Sequence, residues 1–188
     1  MLPTTANRSP VAMCALRLFS AFALFLAISG CGKPDVPQSN APAPPQLAYN
    51  TVVDFGSEGN SAPLKVSGWS KTEEKFTWTE GQSAVIAVSV PPIEGLVTLR
   101  MSLAGMIKEP EFPTHPVEVY VNDQKIADWQ VGNTAPFSAP IPHELTKAVG
   151  KLTFTFKMPK AVSPKDLGKN EDPRVLGICV YNLELSTK

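Results

Sequence analysis

Three tryptophans are the residues of this sequence whose chemistry best suits the binding of a ligand. Trp69, Trp78 and Trp129 each offer a large apolar ring with a polar N–H at its tip. Sugars present flat C–H faces that stack on such rings, so these residues predict a carbohydrate site. The alternative is that the rings fill the core, since tryptophan is usually well buried. Trp78 is in phase with Phe76 along a predicted strand, which favours an inward-facing ring.

Asp172 and Arg174 form the second candidate constellation. Residues two apart lie on the same side of an extended chain. Arg174 could grip a ligand through its planar guanidinium. It could instead form a structural ion pair with Asp172 that ties the loop 160–170 to the domain. The sequence leaves both roles open.

Asp54 and Glu184 are weak candidates for a structural calcium site, because they lie on the predicted first and last strands. Calcium requires six or more oxygen ligands, and the sequence does not reveal such a set. We therefore expect no cofactor and no metal, with structural calcium left as an open alternative.

The sequence offers little for catalysis. His115 and His143 each lie beside a proline in a predicted loop, and neither has the spacing of a metal ligand. There is no G-x-S-x-G motif. Adjacent acids such as Glu73 and Glu74 are simply explained as solvated loop charges. We expect a binding or assembly module, with a glycan-processing enzyme as a distant alternative.

The elements that must position these residues are predicted to be strands. Alternating or apolar runs rich in β-branched and aromatic residues occupy the segments 51–55, 64–69, 76–79, 84–90, 96–103, 117–121, 125–131, 152–158 and 176–185. Asn122-Asp123 marks a hairpin turn, and 142–149 predicts two helical turns that stop at Gly150. We expect a single all-β domain: a two-sheet antiparallel sandwich of jelly-roll type, like a carbohydrate-binding module, with its first and last strands side by side.

Residues 1–30 have the organisation of a secretory signal. Arg8 and Arg17 precede the apolar run 18–28, which is shorter than the roughly 20 residues of a membrane span. Ile28-Ser29-Gly30-Cys31 is similar to the lipobox of bacterial lipoproteins. The resemblance implies cleavage before Cys31, a diacylglyceryl group on its sulfur and a further acyl chain, such as palmitate, on the new N-terminus. Gly32, where an aspartate would favour the inner membrane, implies the outer membrane.

The segment 31–47 is predicted to be a lipidated tether, and 48–188 the domain. The tether has no aromatic residue and five prolines, which favour an extended chain. Once Cys14 leaves with the signal and Cys31 is lipidated, Cys179 remains as the single thiol, and its apolar neighbours predict burial.

Charge excludes some partners. The chain has 17 basic and 17 acidic residues, and the signal carries two arginines and no acid, so the mature chain has 15 basic residues against 17 acidic. No basic run survives outside the signal, so nucleic acid and anionic lipid headgroups are poor partners.

Several segments of the domain resemble a known group of modules. They are Gly68-Trp69-Ser70, 76–81, 117–122, Ala127-Asp128-Trp129 and 172–178. Their order is similar to the β-sandwich modules appended to bacterial envelope glycosyltransferases and phosphoglycerol-transferase-like proteins, over most of residues 52–186. The resemblance implies a role with envelope glycans. We expect this module to stand alone on its lipid anchor, without an attached catalytic domain, so no activity carries over.

These observations predict a lipid-anchored accessory module of the cell envelope, on the periplasmic face of the outer membrane, that binds envelope glycan or serves a glycan-handling complex. The alternative is a structural lipoprotein that docks on an envelope protein. An exposed tryptophan pair lining a groove would favour glycan. A flat apolar patch or an open strand edge would favour a protein partner.

Overall fold

The computed structural model describes residues 43–148 and 150–188, which form eleven strands. In chain order the strands are β1 Val52–Asp54, β2 Lys65–Ser67, β3 Trp69–Thr72, β4 Thr77–Glu80, β5 Ser83–Val90, β6 Val97–Gly105, β7 His115–Val121, β8 Gln124–Val131, β9 Ala135–Ile141, β10 Gly150–Lys157 and β11 Leu176–Thr187. Each is a short run of β-branched, aromatic or alternating residues, as a pleated and half-buried chain requires.

The strands pair into two antiparallel sheets. One sheet has the order β3-β4-β11-β6-β9, and β1 pairs with β11 beyond the end of β4. The other has the order β2-β5-β10-β7-β8. The predicted all-β sandwich of jelly-roll type is therefore confirmed. The predicted neighbourhood of the first and last strands is also confirmed, because Val53 on β1 pairs with Leu183 on β11.

The core lies between the two sheets and is centred on β10 and β11. Strict alternation along β10 turns Phe154 and Phe156 inward, and Leu183 and Leu185 face them from β11, all of them fully buried. One-sided burial fixes the register of β10, because a slip by one residue would bring its buried apolar side chains to the solvent. The polar residues of the same strands are thereby placed on the outer faces.

Gly68 breaks what the sequence predicts as one strand over 64–69. Its φ is +74°, and a β-carbon there would collide with the carbonyl oxygen of Ser83. Only glycine adopts this left-handed conformation at low cost. The chain turns here from β2 in the five-stranded sheet to β3 in the six-stranded sheet.

Two other predictions were wrong in detail. The strand β9 was not predicted, because it contains Pro136 and Pro140, which argue against a strand. The structure tolerates both prolines because β9 is an edge strand that pairs with β6 alone. Where two helical turns were predicted over 142–149, the described residues 142–148 contain a 3-10 turn at His143–Leu145, and Gly150 begins β10. The hairpin turn is confirmed, with Asn122 and Asp123 at positive φ.

The N-terminal side of the sandwich begins inside the segment predicted as tether. Leu47 donates its N–H to the carbonyl oxygen of Ser89 at 2.9 Å, and Ser89 donates to Pro45 at 2.8 Å. Leu47 is part of the core. The signal and Cys31 lie outside the described residues. Within the described residues, neither 3-10 turn approaches the length and apolarity that a membrane-crossing helix needs.

Candidate functional site

The cleft that unites most of the predicted ligand-binding residues lies on the outer face of the six-stranded sheet. It has a volume of about 280 Å³ and is bordered by β4, β6, the start of β11 and the loop before β11. Trp78, Asp172 and Arg174 all line it. We call this site the Trp78 cleft. Its other polar lining residues are Glu73, Lys169 and Asn170.

Trp78 faces outward, so the prediction of an inward ring was wrong. Thr77 and Thr79 on either side of it are fully buried. Their hydroxyls donate to the carbonyl oxygens of Phe55 at 2.7 Å and of Ile178 at 3.1 Å, which satisfies both groups inside the sandwich. Because side chains alternate along a strand, Trp78 is left on the opposite face.

The Trp78 ring is half-buried and held at its edge. Phe76 packs against it nearly perpendicularly, with ring centroids 5.9 Å apart. Its neighbours in register are Cys179 on β11 and Ala104 on β6, and both side chains are small. The indole therefore rises above the sheet beside low neighbours, as a stacking platform requires.

Arg174 and Asp172 form a bidentate ion pair at the rim of the cleft. Arg174 Nε lies 3.1 Å and 3.0 Å from the two Asp172 oxygens, and Nη2 lies 2.6 Å from Oδ2. Nη1 donates to the Ser70 hydroxyl on β3 at 2.7 Å. The guanidinium has more N–H groups than these contacts use, so it can also donate to a ligand. The structural ion pair predicted as one alternative is therefore present, and it fixes the orientation of the Arg174 guanidinium.

The pair has a clear electrostatic signature. The hydrogen bonds from Arg174 hold the pKa of the Asp172 carboxyl below its usual range, and Asp172 in turn raises the pKa of Arg174. Both groups are therefore charged at neutral pH. A carboxylate of this kind accepts hydrogen bonds and is a poor proton donor.

The loop that carries this pair is tied to both sides of the cleft. Asn170 Oδ1 accepts from the Asp172 N–H at 2.9 Å, and the Lys165 N–H donates to the Asp172 carbonyl at 3.1 Å. Lys169 Nζ donates to the carbonyl oxygen of Ile107 at 2.8 Å, across the cleft. Met106 adds an apolar wall.

Trp69 and Trp129 lie elsewhere and serve the fold. The indole N–H of Trp69 donates to the Val85 carbonyl at 2.9 Å, and its ring packs on Phe55 at 5.3 Å. Trp129 is 7% exposed and packs on Phe137 at 5.4 Å. An exposed tryptophan pair lining one groove, which would have favoured glycan, is therefore not formed: Trp78 is the one tryptophan that lines the cleft.

A second depression, of about 450 Å³, lies on the same outer face. Polar side chains of β6 and β11 line it, namely Arg100, Ser102, Asn182 and Glu184. Apolar side chains of β1 and β9 line it as well: Val52, Pro136 and Phe137. Ser138 on β9 lies beside Arg100. We call this the Arg100 groove.

Asp54 and Glu184, the calcium candidates, are not neighbours in register: Asp54 pairs with Asn182, and Glu184 pairs with Val52. Asp54 Oδ1 accepts from the Gly56 N–H at 2.7 Å. Within residues 43–148 and 150–188, no cluster of three or more histidine, cysteine or acidic side chains is arranged to hold a metal. Calcium needs more oxygens than two carboxylates supply.

The remaining titratable candidates are structural. His115 is fully buried, its Nδ1 lies 3.3 Å from the Met106 carbonyl oxygen, and burial lowers its pKa. His143 lies 3.7 Å from Glu94. Cys179 is buried as predicted, and burial raises the pKa of its thiol to about 11.

Sequence reasoning missed Glu73, Met106, Lys169 and Asn170 as lining residues. The one available signal was in the loops. The segment 106–116 contains three prolines and a phenylalanine, a composition typical of a stiff and partly apolar loop, and its first residue, Met106, forms a wall of the cleft. Lys169 and Asn170 line the cleft because the loop before β11 folds over it. No local sequence pattern predicts the path of that loop.

Comparison with known proteins gives similarity at the level of the fold. No protein-family model and no curated protein sequence matches the chain. Among solved structures, it is similar to a family 36 carbohydrate-binding module in complex with calcium and xylotriose, with 12% identity, a TM-score of 0.43 and coverage of 72% of this chain and 99% of that one.

Two further solved modules are similar. One is the first family 36 carbohydrate-binding domain of a multidomain xylanase from the hindgut metagenome of Trinervitermes trinervoides, with 10% identity, a TM-score of 0.44 and coverage of 72% and 95%. The other is a family 35 carbohydrate-binding module from an environmental isolate, with 12% identity, a TM-score of 0.37 and coverage of 73% and 82%. All three likenesses concern the arrangement of strands and assign no ligand.

Proposed function

We propose that this chain is a lipid-anchored, non-catalytic module of the cell envelope that binds glycan in the Trp78 cleft. The observation that carries the proposal is that the partly exposed Trp78 ring and the fixed guanidinium of Arg174 line one cleft. A sugar stacks its C–H face on such a ring while its hydroxyls bond with charged groups at the ring's edge. The cleft supplies both kinds of contact at once.

The polar groups of the cleft suit hydroxyl ligands. Arg174 and Lys169 are donors, and Asp172, Glu73 and the Asn170 amide provide acceptors. A hydroxyl group donates and accepts together, so it pairs with either kind. The ion pair and the loop contacts hold these groups before a ligand arrives, which lowers the entropy lost on binding.

Charge argues for binding rather than hydrolysis. Glycosidases use two carboxyl groups, one of which keeps a proton at working pH because its pKa is raised. In the Trp78 cleft the pKa of Asp172 is lowered by Arg174, so Asp172 does not fill that role. The remaining acid of the lining is Glu73, which is exposed.

The distribution of exposed apolar residues favours glycan over a docked protein. The large apolar side chains most exposed in the described part of the chain are Val52, Val66, Leu96 and Val175. They belong to β1, β2, the β5–β6 loop and the loop before β11. A protein-docking surface generally presents a contiguous apolar patch instead.

The anchoring part of the proposal comes from the sequence. Cleavage before Cys31 and its acylation would attach the chain to a membrane through more than one acyl chain, as a lasting anchor requires. The proline-rich segment after Cys31 would space the sandwich from the lipid. Gly32 supports the periplasmic face of the outer membrane. Growth with radiolabelled palmitate tests this part: Cys31→Ser should abolish labelling of the chain.

Binding can be tested on residues 41–188, which form one compact unit whose core runs from Leu47 to Leu185. We expect saturable binding on an envelope-glycan array. Trp78→Ala should abolish binding, and Arg174→Ala should weaken it by about tenfold or more. The matched control is Tyr120→Ala, which removes a half-buried ring from the outer face of the other sheet.

Two results would count against this function. One is the absence of binding to every glycan on the array by folded protein. The other is equal loss of binding in Trp78→Ala and Tyr120→Ala, which would indicate a general effect on the fold. Crosslinking of the intact lipoprotein in the envelope would then test the alternative of a protein partner.

A further inference from the structure

The Trp78 cleft and the Arg100 groove lie along one strand on one face. Gly105 of β6 lines the cleft, and Ser102 and Arg100 line the groove. At about 3.3 Å per residue, Gly105 and Arg100 are roughly 17 Å apart. This distance is too long for a single sugar and suits a short stretch of a polymer.

Tyr181 lies along β11 between Leu176, which lines the cleft, and Asn182, which lines the groove. It is the extra residue of a bulge between Val180, which pairs with Leu103, and Asn182, which pairs with Ser102. Its hydroxyl lies 3.5 Å from Thr134 Oγ1. A bulge of this kind re-aims a side chain, and here it keeps the ring on the outer face.

Phe76 connects the aromatic rings of Trp78 and Tyr181. Phe76 packs against Tyr181 with centroids 5.3 Å apart, and against Trp78 at 5.9 Å. A row of three aromatic rings therefore extends from Trp78 in the cleft to Tyr181. Successive sugars of one chain can contact successive rings along such a path.

The floor of the Arg100 groove has unused binding capacity. Glu184 is directly opposite Arg100 in register, where opposite charges usually pair. The ion pairs among the described residues all lie elsewhere. The side chains of Arg100 and Glu184 are thus left to interact with solvent or ligand, beside the Asn182 amide and the Ser102 hydroxyl.

Charges along the whole path are balanced. The cationic lining residues are Arg100, Lys169 and Arg174, and the anionic ones are Glu73, Asp172 and Glu184. A face without net charge gives no attraction to a polyanion, whereas a hydroxylated neutral chain can use the donors and acceptors alike.

We infer that the ligand is an extended, net-neutral glycan chain that runs across the outer face from the Trp78 cleft over Tyr181 to the Arg100 groove. The inference rests on the proposed glycan binding and specifies the length and charge class of the ligand. The Trp78 cleft gives the principal contact, and the Arg100 groove holds a more distant part of the same chain.

The dependence of affinity on oligomer length distinguishes binding in the Trp78 cleft alone from binding that also uses the Arg100 groove. The probes are neutral β-linked oligomers of glucose, xylose and N-acetylglucosamine, from the single sugar to the hexasaccharide, with uronic acid oligomers as acidic counterparts. We expect affinity for residues 41–188 to rise with length in a neutral series. Arg100→Ala and Glu184→Gln should each lower affinity for the longest oligomer by about tenfold and leave short oligomers unaffected.

The matched control is Lys151→Ala, which removes an exposed strand cation on the other sheet and should change nothing. Equal affinity for short and long oligomers, or equal losses for both in Arg100→Ala, would overturn the extended-chain inference while the proposed function stood. Tighter binding of the uronic acid oligomers than of the neutral ones would overturn the inference that the glycan is net-neutral. Failure of all oligomers to bind folded protein would remove the proposed function and this inference together.

Discussion

Arg174 holds both carboxylate oxygens of Asp172, with Nη2 2.6 Å from Oδ2. The same guanidinium donates through Nη1 to the Ser70 hydroxyl. One side chain thereby joins the loop before β11 to β3. The pair is only partly shielded, with 35% of the arginine side chain and 22% of the aspartate side chain exposed. It therefore adds little to the stability of the fold, and its main effect is to orient the guanidinium.

Asp172→Asn should weaken glycan binding and leave the sandwich folded. The amide keeps the shape of the carboxylate but loses the charge that orients Arg174. We expect a loss of affinity of about tenfold by calorimetry, with an unchanged circular dichroism spectrum. Ser70→Ala is the companion variant, and a binding loss smaller than that of Asp172→Asn is expected. Full affinity in Asp172→Asn would show that the ion pair does not position Arg174.

Glycan binding should be independent of pH between neutrality and about pH 5. Because Arg174 lowers the pKa of Asp172, the stabilising charge is present above the ordinary aspartate range and is lost only as the pH falls through the lowered value. Titrations at several pH values measure this. A midpoint near neutrality would assign the binding to a different titrating group.

The two tryptophan environments predict different costs of truncation. Trp129→Ala should destabilise the domain by about 3–5 kcal/mol, since it empties a core position. Trp78→Ala should cost about 1–2 kcal/mol, because part of its ring already faces solvent. Urea unfolding monitored by circular dichroism compares them. Equal costs would contradict the outward placement of Trp78.

Gly68→Ala should destabilise the sandwich by at least about 2 kcal/mol. The positive φ strains a β-carbon, and the Ser83 carbonyl occupies the space that it needs. Gly168→Ala is the matched control, since its φ is +68° but nothing lies within 4 Å of the added carbon. Urea midpoints should fall more for Gly68→Ala. Similar losses in both variants would show that backbone strain alone, rather than the collision, sets the cost.

Acid should destabilise the domain through His115. Its pKa is lowered by burial, so the folded state keeps it neutral while the unfolded chain takes up a proton below about pH 6.5. Stability is therefore full above that pH and falls as the pH drops, by at most about 1.4 kcal/mol per unit for one proton. Thermal midpoints from pH 7.5 to 5 measure the slope. His115→Phe should reduce it, and an unchanged slope would exclude His115 as the cause.

Cys179 should resist alkylation in the folded domain. The thiolate is the reactive form, and burial raises the pKa of the thiol to about 11. Iodoacetamide at pH 8 should label it only after unfolding in urea, as mass spectrometry would detect. Rapid labelling under native conditions would contradict its burial beneath the outer face.

The sequence by itself determined the class of fold and the central strands. The alternation in 152–158 is visible in the residue types themselves, because a strand with one buried face needs an apolar side chain at every second position. The apolar run at the start of 176–185 likewise predicts the last strand. The hairpin at Asn122-Asp123 was equally local, since few residues accept positive φ. The signal, the lipobox and the part of the tether before residue 43 are also local patterns, and they remain predictions because they lie outside the described residues.

Tertiary structure decided the site. Trp78 was predicted to face inward from its phase with Phe76, yet the hydroxyls of Thr77 and Thr79 find carbonyl partners inside the sandwich and send the ring outward. The hydrogen-bond acceptor of Thr79 is Ile178, which is 99 residues away in the chain, so the sequence around Thr79 does not reveal it. Strand propensity predicts where a strand lies in the sequence. Which face of that strand is buried depends on the groups elsewhere in the fold that can form hydrogen bonds with the polar side chains of the strand.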